Sequence, residues 1–267
     1  MIHLLRDNGI GYLKVDYNDS IGLGCDHTHS LGEGLRRHID GVHRFFRQLR
    51  EELPDLVIEA CSSGGHRLEP SMLGLTSMGS FSDAHETVTI PLIARNLQRL
   101  ILPRQSLIWA VLHPTDSNAR LIYSLAATFL GRMCLSGEIH DLSEAQMEIL
   151  RTAIDLYRTC STTIDLGTST FHGTEDNSYV DPRGWQVVVR EHKDQILLVA
   201  HTFALEEPAN LSLSMPPGEW QISGRLGEAL NIVDLSEGNL IVTMHHEFKA
   251  AILVFDRNLK AGSVQKL

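Results

Sequence analysis

Residues 11–165 repeat one pattern, a short apolar run, a polar loop and then an amphipathic helix, and this alternation constrains the fold more than any other feature of the chain. Strands that alternate with helices build βα units, and βα units build a parallel sheet. The first run is Tyr12-Leu-Lys-Val-Asp-Tyr17, followed by a long loop to Ser30. Ser30-Leu-Gly-Glu33 has the form of a capping box. Beyond it Leu31, Leu35, Ile39, Val42, Phe46, Leu49 and Leu53 step by three or four along one helical face, and Pro54 stops the helix. The spacing predicts further strands at Leu56–Cys61, Gly79–Asp83, Ser106–Leu112 and Arg132–Ser136. Helices are expected near Thr89–Leu102, from about Asp116, and from a second capping box at Ser143–Gln146 to about Tyr157. Met1–Gly9 reads as the end of a helix with Gly at its C-cap.

From about Phe171 the helical period disappears. Short apolar runs take over at Trp185–Arg190, Gln195–Thr202, Ala209–Ser214, Glu219–Ile222, Asn239–Met244 and Ala250–Phe255. Turn signals at Glu191–Asp194, Pro216–Gly218 and Ser236–Asn239 separate several of them. The expectation is two domains, α/β over 1–168 and an antiparallel, sandwich-like β module over 169–267. No flexible linker separates them, so they should pack closely. A length of 267 residues suits two domains, and 43% hydrophobic residues is ordinary globular composition.

The formal net charge of −10 argues against nucleic-acid binding, where Lys and Arg must neutralise phosphates, and against docking on anionic lipid. No apolar run approaches the ~18–20 residues of a membrane-spanning helix. The four cysteines, Cys25, Cys61, Cys134 and Cys160, have no disulfide-framework or metal spacing, which fits a reduced, cytoplasmic protein.

In parallel α/β architectures, ligands bind beyond the carboxyl ends of the strands. That rule selects Lys14, Asp16, Tyr17 and Asn18, then Cys61 to Gly65, then Asp83, His85 and Glu86, then His113 and Asp116. Asp16 and Asp83 come from different strands, and two carboxylates are the minimum equipment of a glycosidase. Lys14 and Asp16 share one face of their strand, so an ammonium there would keep Asp16 ionised. A buried ion pair is the structural alternative for the same spacing.

These residues resemble a known family. Tyr12-Leu-Lys-Val-Asp-Tyr-Asn18 resembles the K-x-D-x-N signature of family 36 glycoside hydrolases, the α-galactosidases or melibiases. Cys61-Ser-Ser-Gly-Gly-His-Arg67 is similar to the family's C-S-x-G-G-x-R segment, and Phe81-Ser-Asp-Ala-His-Glu86 to its S-D segment, in the same order. The resemblance implies a partial (β/α)8 TIM-type barrel, about strands 4–8, followed by the antiparallel β domain. It implies a retaining hydrolysis of terminal α-galactosides, with Asp16 as nucleophile and Asp83 as general acid and base. Lys14, Asn18, Cys61 and Gly64 would line the sugar pocket, with no cofactor and no metal.

The sequence departs from the family around Asp83, where Gly79-Ser-Phe precedes and Ala84-His-Glu follows the S-D pair. That puts leaving-group preference in question more than the reaction. A complete (β/α)8 barrel takes ~250 residues, so the chain is expected to be the C-terminal portion of a longer enzyme, with little turnover by itself. The unpaired edges of an open barrel would favour association into a homo-oligomer.

Two other classes compete. His27-Thr-His29 is similar to the H-x-H pair of metal-dependent barrel amidohydrolases, with His85, His113 or His140 as further ligands. However, H-x-H belongs on a first barrel strand, and here it follows a strand end by ten residues. The second alternative is a non-catalytic carbohydrate-binding remnant, against which stands the retention of both carboxylates. Nucleotide and Ser-His-Asp chemistry lack their motifs, GxxxxGK[ST], GxGxxG and GxSxG.

Overall fold

Short βα units dictate where polar side chains can gather, because each parallel strand delivers its last residues to the same end of the sheet. The computed structural model describes residues 1–17, 30, 32–83, 88–174, 179–236 and 238–258. The chain gathers into two units: Met1–Asp83 with Gln105–Leu107, and Ala84–Arg104 with Ile108–Leu267.

The first unit runs α1 (Ile2–Asp7), β1 (Tyr12–Val15), α2 (Glu33–Glu52), β2 (Val57–Ala60), α3 (Pro70–Leu73), β3 (Met78–Ser80) and the first residues of β4 (Ser106–Leu112). The strands pair in parallel in that order, with Lys14 level with Glu59, Ala60 with Gly79, and Ser80 with Leu107. β1 is the outer strand. Its core joins Leu5, Phe46, Leu49, Leu56, Ile58 and Met72. Each such side chain withdrawn from water contributes ~1.5–3 kcal/mol of transfer free energy. The helix expected at the start of the chain is present, and Gly9 leaves it at φ +62°.

Two expectations for α2 need correction. The Ser30–Glu33 capping box does not form: Gly32 is the N-cap, and the Glu33 carboxylate instead accepts from Arg36 and Arg37 at 2.8–2.9 Å. Opposite charges at i, i+3 and i, i+4 outcompete the backbone for that side chain. The apolar stripe is also only half covered, since Phe46 and Leu49 are buried while Leu35 and Ile39 are 45% and 46% exposed. The strands β1 and β3 end two and three residues earlier than the sequence spacing predicts.

In the second unit β4 continues and β5 (Arg132–Gly137) lies beside it. Helices α4 (Ile90–Leu97), α5 (Asn118–Thr128) and α6 (Glu144–Leu166) follow their expected places, α6 running nine residues past Tyr157. Here the second capping box is real, with the Ser143 hydroxyl accepting from the Gln146 amide at 3.3 Å and Gln146 accepting from the Ser143 amide at 2.9 Å.

The remaining strands are β6 (Thr168–Gly173), β7 (Trp185–His192), β8 (Gln195–Thr202), β9 (Ala209–Ser214), β10 (Trp220–Gly227), β11 (Leu230–Ser236), β12 (Asn239–Met244) and β13 (Ala250–Arg257). They form two antiparallel sheets, ordered β10-β13-β8-β7-β6 and β11-β12-β9. A shared apolar core includes Leu198, Leu230, Val242, Leu253 and Phe255. As expected, the helices pack closely on this module. Arg190 Nε donates to the Thr163 carbonyl at 2.8 Å, and Leu156 stands where a Cβ on Gly224 would lie. The strands β6 and β11 were not anticipated from the apolar pattern. Trp185 packs against the module's core. His245 and His246 lie past the end of β12, with their rings edge-on at 5.1 Å.

Candidate active site

The strand period that aligns Lys14 with Asp16 continues through β1 to Val15, and Asp16 is the first residue beyond it. β2 ends one residue before Cys61, whose amide still donates to the Val15 carbonyl at 3.1 Å. Then the chain reverses hand. Ser62, Ser63, Gly64 and Gly65 have φ of +66°, +52°, +66° and +99°. The two glycines adopt this region freely, whereas each serine there carries a strain of ~1–2 kcal/mol. Strain of this kind persists where surrounding contacts over-determine it.

Those contacts tie three strand ends together. The Ser63 amide donates to Asp16 Oδ1 at 3.4 Å, and the Ser62 hydroxyl to the Tyr17 carbonyl at 3.2 Å. The Gly65 amide donates to the Ser80 carbonyl at 3.0 Å. A Cβ on Gly64 would fall 2.6 Å from the Cα of Ser82, so only glycine lets the turn reach the residue before Asp83. Gly64 thus permits the close approach of two backbone segments.

The Asp16 carboxyl is held below the usual carboxylate range. The largest cause is the Cys61 thiol, which donates to it; burial opposes the shift, and the amides of Ser63 and Ser62 and the charge of Lys14 add to it. Cys61 is buried, and its thiol is pushed up by burial first and then by donating to Asp16. It is thus a neutral donor, which suits a carboxylate that must stay ionised.

Lys14 attracts Asp16 as expected and has a second carboxylate partner as well. Its Nζ lies 3.6 Å from a carboxylate oxygen of Glu59, directly opposite on β2, and Tyr12 also hydrogen-bonds Glu59. Glu59 is almost wholly buried. Burial works against the Lys14 charge, but Glu59, Cys61 and Asp16 outweigh it and raise its pKa. Lys14 is therefore a fixed cation near Asp16, anchored from the neighbouring strand.

A cavity of about 590 Å³ lies along β1 and α2, with Leu13, Val42 and Phe45 as apolar walls and Lys14, Asp16 and Arg67 as polar ones. Asp83 is exposed, just past β3 and adjacent to Ser82. Asn18, Cys25, His27, His29, His85 and Glu86 lie outside the described residues. Of the other histidines considered for a metal, His113 meets Glu138 at 3.1 Å and His140 meets Asp141 at 3.4 Å.

Sequence reasoning missed Glu59 and gave Arg67, the last residue of the Cys61–Arg67 motif, no role of its own. A glutamate inside the apolar run Leu56-Val-Ile-Glu-Ala was the available signal, because a charge in a parallel strand needs a partner. Arg67 donates to three successive backbone carbonyls, at Val15, Asp16 and Tyr17, a role that no spacing rule indicates.

Comparison with known proteins follows the same residues. The Melibiase family model matches residues 1–167. Alpha-galactosidase 2 of Pediococcus pentosaceus is 27% identical over 169 residues, which is 61% of this chain and 24% of that protein. Alpha-galactosidase AgaA of Geobacillus stearothermophilus is 24% identical over 226 residues, 79% of this chain and 29% of that protein. The chain thus spans about a quarter of the length of the curated relatives it matches. A crystal structure of an AgaA variant with 1-deoxygalactonojirimycin superposes with a TM-score of 0.76 at 17% identity, covering 96% of this chain and 37% of that one. Another AgaA variant, solved in complex with raffinose, gives a TM-score of 0.73 at 15% identity over 96% of this chain and 37% of that chain. These superpositions identify the parallel strands as part of a TIM-type barrel.

Proposed function

The chain belongs to the Melibiase family, and on that premise we propose that it carries the two catalytic carboxylates of a retaining α-galactosidase. In this reading Asp16 attacks the anomeric carbon of a terminal α-galactoside while Asp83 protonates the departing glycosidic oxygen. Asp83, now a carboxylate, takes a proton from water, which attacks the same carbon and releases Asp16. The two displacements restore the original stereochemistry, and they require carboxyl groups ~5–5.5 Å apart. Lys14, Asn18 and Cys61 would face the sugar hydroxyls. The barrel part would end near residue 168, where the family match also ends at 167.

One observation carries the proposal. A carboxylate kept ionised by a thiol and a backbone amide stands at a strand end, held by a turn of the next strand that also presses against the residue preceding the second acid. Such preorganisation is what a nucleophile needs at neutral pH. The oligosaccharide class of substrate is supported by the raffinose complex of AgaA.

In an enzyme containing the whole barrel, Asp16→Ala should abolish turnover. Asp83→Ala should retain activity on an aryl α-galactoside with a good leaving group, and azide should raise it. Azide should give the α-galactosyl azide with Asp83→Ala and the β-galactosyl azide with Asp16→Ala; the opposite pairing of products would reverse the assignment. The 267-residue chain alone is expected to release little or no aryl product; ordinary specific activity would refute its dependence on further barrel strands.

A further inference from the structure

We propose that Arg67 is the positioning residue of Asp16: its guanidinium holds residues 15–17 in the bend that aims the Asp16 carboxylate at the Cys61 thiol and the Ser63 amide. The proposal rests on the reading of Asp16 as the nucleophile, but its geometry stands independently. Nη1 donates to the Val15 carbonyl at 3.0 Å and to the Asp16 carbonyl at 2.9 Å, and Nη2 to the Tyr17 carbonyl at 3.3 Å. The regular pairing of β1 with β2 stops at Val15, so the carbonyls beyond it need partners of another kind. A planar fork with several fixed donors can span three successive carbonyls, whereas an ammonium is a single point.

The bend is costly without such a clamp. Tyr17 has φ +48°, a region that bulky residues seldom enter. Its carbonyl is fixed from two sides, by Arg67 and by the Ser62 hydroxyl, and both partners sit on the segment that begins with Cys61. The same segment therefore supplies the thiol and the amide that meet the carboxylate and the guanidinium that orients its backbone. In this arrangement Arg67 meets the backbone of residues 15–17. It acts through the main chain.

The test uses the 267-residue chain without substrate and reads two signals by NMR, the titration of the Asp16 carboxyl and the hydrogen exchange of the Ser63 amide. In Arg67→Lys and Arg67→Gln, the Asp16 carboxyl should titrate nearer the ordinary carboxylate range, and the Ser63 amide should exchange about tenfold faster. Lysine should not rescue either signal, since it restores charge without the fork. Adding Tyr17→Gly to Arg67→Lys should recover part of both, because glycine accepts the positive φ without strain.

An Arg67→Lys chain that titrates as the unaltered one would overturn the proposal in favour of charge alone. So would lower thermal stability with both signals unmoved, which would make Arg67 merely structural. Where a variant does not fold, the unaltered chain decides: slowed rotation of the Arg67 guanidinium with contacts to residues 15–17 is expected, and freely averaged Nη signals would refute the clamp. None of these signals depends on turnover, so failure of the Asp16 assignment would appear separately, in the whole-barrel enzyme.

Discussion

The strands β1 and β8 show two ways in which this chain uses an extended segment. Seven of the eight residues of β8 are buried, and it pairs on both sides, with β13 and β7. None of the four residues of β1 is buried, and among the described residues it pairs on one side, with β2. β8 is held by apolar surface removed from water. The end of β1 is held by a few directed hydrogen bonds, a charged fork and a backbone run of unfavourable hand. Stability in the first case is diffuse, whereas in the second it is concentrated in groups that also set the carboxylate's ionisation.

The sharpest way to break that contrast is acid. His201 on β8 is fully buried and hydrogen-bonded through Nε2 to the Tyr123 carbonyl at 3.3 Å, and burial pushes its pKa down to about 3. An unfolded chain binds that proton near pH 6.5 while the folded one does not. Stability is therefore unaffected above 6.5 and falls as pH drops from there to about 3, by an amount on the order of 5 kcal/mol. Asp16 acts over a different range. Its depressed pKa stabilises the fold above the ordinary carboxylate value, and this contribution is lost only as pH falls through the lowered one. Hydrogen exchange of β8 amides between pH 7 and 4 should show the loss, and a His201→Phe chain should show much less of it.

The next largest effect is expected from Leu198→Ala, at about 3.5 kcal/mol for a fully buried leucine. Urea unfolding followed in the second unit should register it, with the Asp16 titration unmoved. Gly64→Ala should cost about 2.5 kcal/mol, since the new Cβ meets the Ser82 backbone at a positive φ. Unlike the leucine change it should also shift the Asp16 titration, which NMR can follow. The smallest effect has the opposite sign. Ser63→Gly should add about 0.5–1 kcal/mol by relieving a left-handed serine while keeping the amide that meets Asp16. A destabilised Ser63→Gly chain in thermal melts would show that the hydroxyl, not the backbone, matters at that position.

The same contrast explains what could be read in advance. The strands β4, β8, β9 and β12 fall where the apolar runs place them, because burial on one or both faces writes a direct pattern into residue type. β6 and β11 carry Thr, Ser, Asn and Asp among their apolar residues, and their pairing with neighbours rather than composition makes them strands. At the site, the period of two brought Lys14 and Asp16 to one end, and the chain position of Cys61 followed from the next strand. The Lys14–Glu59 pair depends on register between strands, which one strand's sequence does not contain. The left-handed serines and Tyr17 are less legible still, because these residue types adopt that hand only when long-range contacts compel it. The two capping motifs make the point locally: the neutral Gln146 meets the Ser143 amide, whereas the Glu33 carboxylate is taken by two arginines.

The run from Ser62 to Gly65 has an engineering consequence. A loop that grips one acid's strand by hydrogen bond and abuts the other acid's strand at van der Waals contact removes the freedom to retune either acid alone. On the proposed reading of Asp16 and Asp83, redesign for a bulkier leaving group by moving the Ser82–Asp83 backbone would drag the Asp16 scaffold with it. Successful variants should therefore arise as paired changes on both segments, and libraries that randomise just one should yield few survivors.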